Sequence, residues 1–159
     1  MEYDVEIYLL SDKFLKDYPK TKYPELMLKK ERPYSCLVID THDEYFICIP
    51  FRSSISHNNA YIFKGTERAR KSRSGLNYSK VVLIKDISYI NSSKAAIVDQ
   101  DEFTTAKRNM NRIVDEIIKY IDGYVNHING SILLHNREFE RKYKFSTLPY
   151  FHDILGLSN

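Results

Sequence analysis

YSCLVID (residues 34–40) and YFICIPF (45–51), joined by THDE (41–44), are the clearest strand pair in the chain. Both segments are rich in β-branched and aromatic residues, and the polar link between them reads as a hairpin loop. Their near-continuous apolarity predicts central strands covered on both faces, or a tightly wound barrel. A three-residue turn at Thr41–Asp43 would set Cys36 opposite Cys48. In a chain with no signal-peptide pattern at MEYDVEIYLL, the two cysteines read as free, small apolar core residues. A cytosolic location is the matching expectation.

The hairpin ends in chemistry. After Pro50 and Phe51 come Arg52, Ser53, Ser54, Ser56, His57, Asn58 and Asn59. A cation, hydroxyls, an imidazole and amides released together from a strand end can meet an anion. Ser, His and Asn after a strand are also ordinary loop and cap residues. In an antiparallel pair the start of one strand lies beside the end of the next. Lys30 and Arg32 are therefore expected at the same end of the sheet as Arg52.

Outward from the hairpin, Val5, Ile7 and Leu9 alternate, so residues 4–10 read as a strand. Ser11 reads as the N-cap of a short helix over Asp12–Asp17, stopped by Pro19, and PELMLKK (24–30) as a second short helix. Residues 60–63, 79–84, 87–90 and 95–98 read as further strands. The polar stretch 64–77 reads as a long surface loop with a turn at Gly75. From Glu102 to about His127 apolar residues recur at three- and four-residue steps, predicting one long amphipathic helix capped by Asp101 and stopped by Asn129-Gly130. A further helix is expected over 131–143. Strands first and helices after them predict an α+β fold. Its base would be a compact, strongly bent antiparallel sheet or small barrel, followed by a long C-terminal helix. The whole of 1–159 reads as one domain, β-rich over 1–98 and helical over 101–157.

Composition narrows the function. The chain is 43% hydrophobic and carries a net charge of +3. Between Lys64 and Lys85 the basic residues are Lys64, Arg68, Arg70, Lys71, Arg73, Lys80 and Lys85, against Glu67 as the one acid. Such a run fits a polyanion partner, although a solvated basic loop has the same appearance. SRSGLNYSK (72–80) mixes phosphate donors (Ser74, Lys80) with a stacking ring (Tyr78). No phosphate-loop pattern, Gly-x-Ser-x-Gly elbow or zinc-ligand spacing is present, and no apolar run approaches membrane-spanning length.

Cleavage of RNA by its own 2′-OH needs no metal and no protein nucleophile. It needs a base, an acid, and donors around a phosphate that gathers negative charge. Arg52 suits bidentate phosphate contact. Ser53 can donate to a phosphoryl oxygen, and His57 has a reference pKa that permits acid and base roles.

These residues carry a resemblance. A basic residue before YxxLVI, the hairpin, Pro-Phe-Arg-Ser, His-Asn, and then SGLNYSKVVLI resemble the toxins of type III toxin–antitoxin systems, the ToxN/AbiQ superfamily, and most of all its TenpN branch. The likeness spans roughly residues 4–128. It implies a compact, barrel-based endoribonuclease related in fold to the MazF/Kid interferases. Such an enzyme cuts RNA without metal or other cofactor and leaves a 2′,3′-cyclic phosphate. The partner implied is a small pseudoknotted antitoxin RNA cut from a tandem-repeat transcript, closing with the toxin into ring-like assemblies that act in abortive infection against phage.

The family's active-site serine falls on Ser53, its neighbouring threonine on Arg52, and its basic residue before the hairpin on Arg32. Where some members have a lysine after the serine, this chain has Ile55 and Ser56. Where some have a tyrosine near the long helix, it has Phe103. His57 is the substitute candidate. The expected catalytic set is Ser53, Arg52, His57 and Arg32. The expected RNA contacts are Lys30, Ser54, Arg70, Lys71, Arg73, Ser74, Tyr78 and Lys80. A non-catalytic RNA-binding module and a MazF-type interferase neutralised by a protein are the alternatives.

Overall fold

The computed structural model describes residues 4–26, 35–42, 44–91 and 98–158. Strand β1 (Asp4–Leu10) leads into helix α1 (Asp12–Asp17), where the Ser11 hydroxyl accepts from the Phe14 N–H at 3.3 Å. That hydrogen bond satisfies one of the free amides of the first turn. Of the expected helix 24–30, Pro24–Leu26 forms a 3₁₀ turn, and the remainder lies outside the described residues. β2 (Ser35–Asp40) and β3 (Phe46–Arg52) form the hairpin. Its register pairs Cys36 with Pro50 and Val38 with Cys48. The cysteines are therefore diagonal neighbours and not opposite each other, because the connection is longer than the expected three-residue turn. Both are buried free thiols, and burial pushes their pKa values up.

β4 (Ala60–Ile62), β5 (Gly75–Asn77), β6 (Val82–Ile84) and β7 (Ile90–Asn91) complete a seven-stranded antiparallel sheet. Its order is β4-β5-β3-β2-β1-β7, with β6 also on β3. The α+β class holds. The barrel alternative does not, since among the described residues β4 and β7 remain open edges. The strand expected over 87–90 begins instead as a 3₁₀ turn, Ile87–Tyr89, and the one expected over 95–98 lies almost wholly outside the described residues.

The expected long helix is two: α2 (Gln100–Arg108) and α3 (Met110–Ile128). At the break, the Asn109 side-chain amide donates to the Thr105 carbonyl at 2.8 Å, a local bond of the kind that competes with helix propagation. Nor is the long helix C-terminal, since α4 (Asn136–Tyr143), a 3₁₀ turn at Leu148–Phe151 and α5 (His152–Leu155) follow it. α3 buries Ile113, Val114, Ile117, Tyr120, Ile121 and Tyr124, and each aliphatic side chain among them is worth roughly 1.5–3 kcal/mol when fully removed from water. They join one apolar cluster with Leu37, Ile39, Ile47 and Ile49 of the hairpin and Leu148 and Phe151 of the tail. Among the described residues no helix is long and apolar enough to cross a membrane.

Candidate functional site

β5 and β6 are two halves of one interrupted strand. β6 pairs with Phe46–Cys48 and β5 with Phe51 and Arg52, leaving Ile49 and Pro50 without a strand partner on that edge. Pro50 has no amide hydrogen to donate to a ladder. Opposite it the chain leaves the sheet as a 3₁₀ turn, Tyr78–Lys80. Asn77 caps this turn, its side-chain oxygen accepting from the Ser79 N–H at 3.1 Å and the Ser79 hydroxyl at 2.6 Å. The Asn59 carbonyl accepts from the amides of Tyr78 and Ser79. The Thr147 amide donates to the carbonyl of Ser79, and its hydroxyl, 3.3 Å from that same carbonyl, donates its one hydrogen to the carbonyl of Val81.

The turn carries Lys80 beneath the end of β3. The lysine is 7% exposed. Its ammonium donates to the Phe145 carbonyl at 2.7 Å and pairs with Glu25 at 3.4 Å. Burial lowers its pKa, Glu25 opposes that, and the nearby Arg52 guanidinium lowers it further. Arg52 is half-buried, while Ser53 and Ser54 are exposed. Ser54 has a φ of 55°, so the chain turns sharply just after Ser53.

His57 sits on the other side of the same turn. Its Nδ1 accepts from the Asn59 N–H at 3.0 Å, and its Nε2 faces the Ser79 hydroxyl at 3.3 Å. Because that hydroxyl gives its proton to Asn77, the consistent tautomer carries hydrogen on Nε2. Burial lowers the His57 pKa, and Lys80 and Arg73 lower it further. Both ring nitrogens are thus engaged in holding the neutral imidazole.

The structure therefore brings Arg52, His57 and Lys80 together near the exposed Ser53 and Ser54. Arg32 and Lys30 lie outside the described residues. Arg70 and Lys71 are exposed. Arg73 is also exposed, yet it donates to the carbonyls of Ile55 and His57 and to Asn58 Oδ1, which shapes the loop after Ser53. Ser74 is fully buried, so it is placed as a core residue and not as a phosphate donor. Tyr78 is buried too, and its hydroxyl donates to Glu116 Oε1 at 2.9 Å, which leaves it a wall and not a free stacking ring. The basic loop is docked, not free. Arg68 forms a bidentate pair with Glu102, at 3.0 and 2.8 Å, and the Glu67 N–H donates to Asp101.

Beside this cluster a groove of about 710 Å³ runs between edge strand β4 and helices α2 and α3. Its cationic lining is Lys64, Arg73, Arg108, Arg112, Lys119 and Lys142, and its acid is Glu116. Apart from Lys64 and Arg73, which belong to the basic run, these residues carry no role in the sequence motifs. Their signal was present as the polar face of the amphipathic helix, where Arg108, Arg112 and Lys119 recur at four and seven residues. Ser79, Asn77 and Glu116 gave no such signal, since their roles depend on long-range partners. No protein-family model, curated protein or solved structure matches this chain.

Proposed function

We propose that the chain is a sequence-specific endoribonuclease toxin that needs no metal, is held in check by a small structured RNA, and acts in the cytoplasm. The observation that supports it best is the exposed Ser53 hydroxyl following the half-buried Arg52, with buried Lys80 beneath. The resemblance of PFRS and SGLNYSK to the ToxN/AbiQ toxins supplies the reaction. The substrate's 2′-oxygen attacks the adjacent phosphorus and gives up its proton to a base. The P–O5′ bond breaks, and the 5′-oxygen takes a proton. The products are a 2′,3′-cyclic phosphate and a free 5′-hydroxyl. In this reading Arg52 and Ser53 hold the non-bridging oxygens as charge builds, with donors fixed in place before reaction. The same resemblance adds Arg32 to the catalytic set.

Ser53→Ala is expected to lower RNA cleavage by about 100-fold or more, the usual loss on removing one such donor. At an exposed site it should shift stability by no more than about 0.5 kcal/mol. Cleavage is read on purified RNA in the presence of chelator, with the 3′ ends checked for cyclic phosphate. If the unaltered chain neither arrests growth on induction nor cuts RNA, the enzyme reading is wrong. One observation favours the second reading, a non-catalytic RNA-binding module. The His57 ring is committed at both nitrogens, and so is not a ready general base.

A further inference from the structure

The groove beside the site has a chemistry of its own. Six cations face one acid, and that acid is already used: Glu116 accepts from Tyr78 at one oxygen and from Arg112 Nε at the other, at 3.1 Å. The same Arg112 guanidinium lies over the Tyr61 ring, 5.5 Å from its centroid. Arg112 is thus backed by an aromatic face and tethered through Nε, while its side chain stays 69% exposed. A planar cation fixed in that way offers its open face for stacking, which is how unpaired bases are commonly held. Arg108 and Lys119 flank it along the helices. From Arg112 to Gly123 the helical wall runs ~16 Å at 1.5 Å per residue.

We infer that this groove is a track for single-stranded RNA, in which Arg112 stacks on an unpaired base while Arg108 and Lys119 neutralise flanking phosphates. A single strand can lay its backbone along the cations and turn a base inward. A duplex keeps its bases stacked inside and offers the cavity only its outer phosphates. The groove is lined in part by Asn58 and Asn59 of the loop that follows Ser53, and by Arg73, which braces that loop, so the track would hold nucleotides next to the bond cut at Ser53. The inference rests on the RNA part of the proposed function and not on cleavage.

The test uses the full chain and a short 2′-O-methyl RNA, which lacks the nucleophile for self-cleavage. Binding is measured by fluorescence anisotropy across a salt series. The single strand should bind at least 10-fold tighter than the same sequence in a duplex. Arg112→Lys keeps the charge and removes the stacking plane, and should weaken binding about 10-fold with the salt slope unchanged. Joint Arg108→Gln and Lys119→Gln should instead flatten the slope by about 1.4, at roughly 0.7 per phosphate on a single strand. Equal binding of duplex, equal competition by polyglutamate, or wild-type binding by Arg112→Lys would each overturn the track. Groove-dependent binding without cleavage of ordinary RNA would remove the enzyme reading and leave the track standing. Cleavage that survives all three groove substitutions with unaltered binding would do the reverse.

Discussion

At His57 the geometry fixes a protonation state. The Asn59 amide points its hydrogen at Nδ1, so a proton there would face another donor. Burial and the charges of Lys80 and Arg73 act in the same direction, and the folded pKa lies below the ordinary 6.5. The unfolded chain therefore takes up a proton first as pH falls. Stability from the neutral ring is fully present above the unfolded value, and is lost from about pH 6.5 down towards the folded pKa. His57→Gln removes this titration. The urea-midpoint gap between the unaltered chain and His57→Gln should be widest near pH 8 and shrink as pH falls below 6.5. A gap that stays constant from pH 8 to pH 5 would mean that the ring is not held neutral. In the sequence His57 stands out by its reference pKa. Its backbone donor is two residues away and its hydroxyl partner is on another element, and neither contact can be foreseen from residue type.

Among the elements, the interrupted strand β5–turn–β6 decides where the charged groups go, and Gly75 decides whether it forms. Gly75 pairs with Arg52 on one side and with Ile62 on the other. A Cβ at this position would lie 2.0 Å from the Tyr61 carbonyl oxygen, which cannot move without breaking β4 from the sheet. Gly75→Ala should cost at least the ~1–3 kcal/mol of overpacking. It should also speed amide exchange at Phe63, whose N–H donates to the Ser74 carbonyl across that junction. Unchanged stability and exchange would show that β4 does not approach so closely. From sequence alone Gly75 read as a turn glycine, because GLN has no β-branched residue and lies in a polar stretch. Pairing on both sides overrides that weak propensity. Asn109 is the opposite case, since the apolar spacing runs smoothly across it and hides a polar side chain at the break between α2 and α3.

Across the whole molecule, the order of strands and then helices was enough to read an α+β domain, because hydrophobic periodicity is local and survives in any one segment. The docking of the tail was not legible, since it works through single polar contacts far apart in sequence. The Tyr150 hydroxyl accepts from the Glu25 amide, the Phe145 carbonyl takes the Lys80 ammonium, and Thr147 grips the Ser79–Val81 turn. One segment thus ties the N-terminal region, the interrupted strand and the site together. Thr147→Val keeps the shape and deletes the hydroxyl. The buried Val81 carbonyl then loses the Thr147 donor, at a cost of about 1–3 kcal/mol. Because tail and sheet share one apolar cluster, that loss should appear as a lower urea midpoint with the same slope in a single transition. A separate early transition, with the tail released while the sheet persists, would show that the tail is an appendage and that Lys80 can be held in place without it.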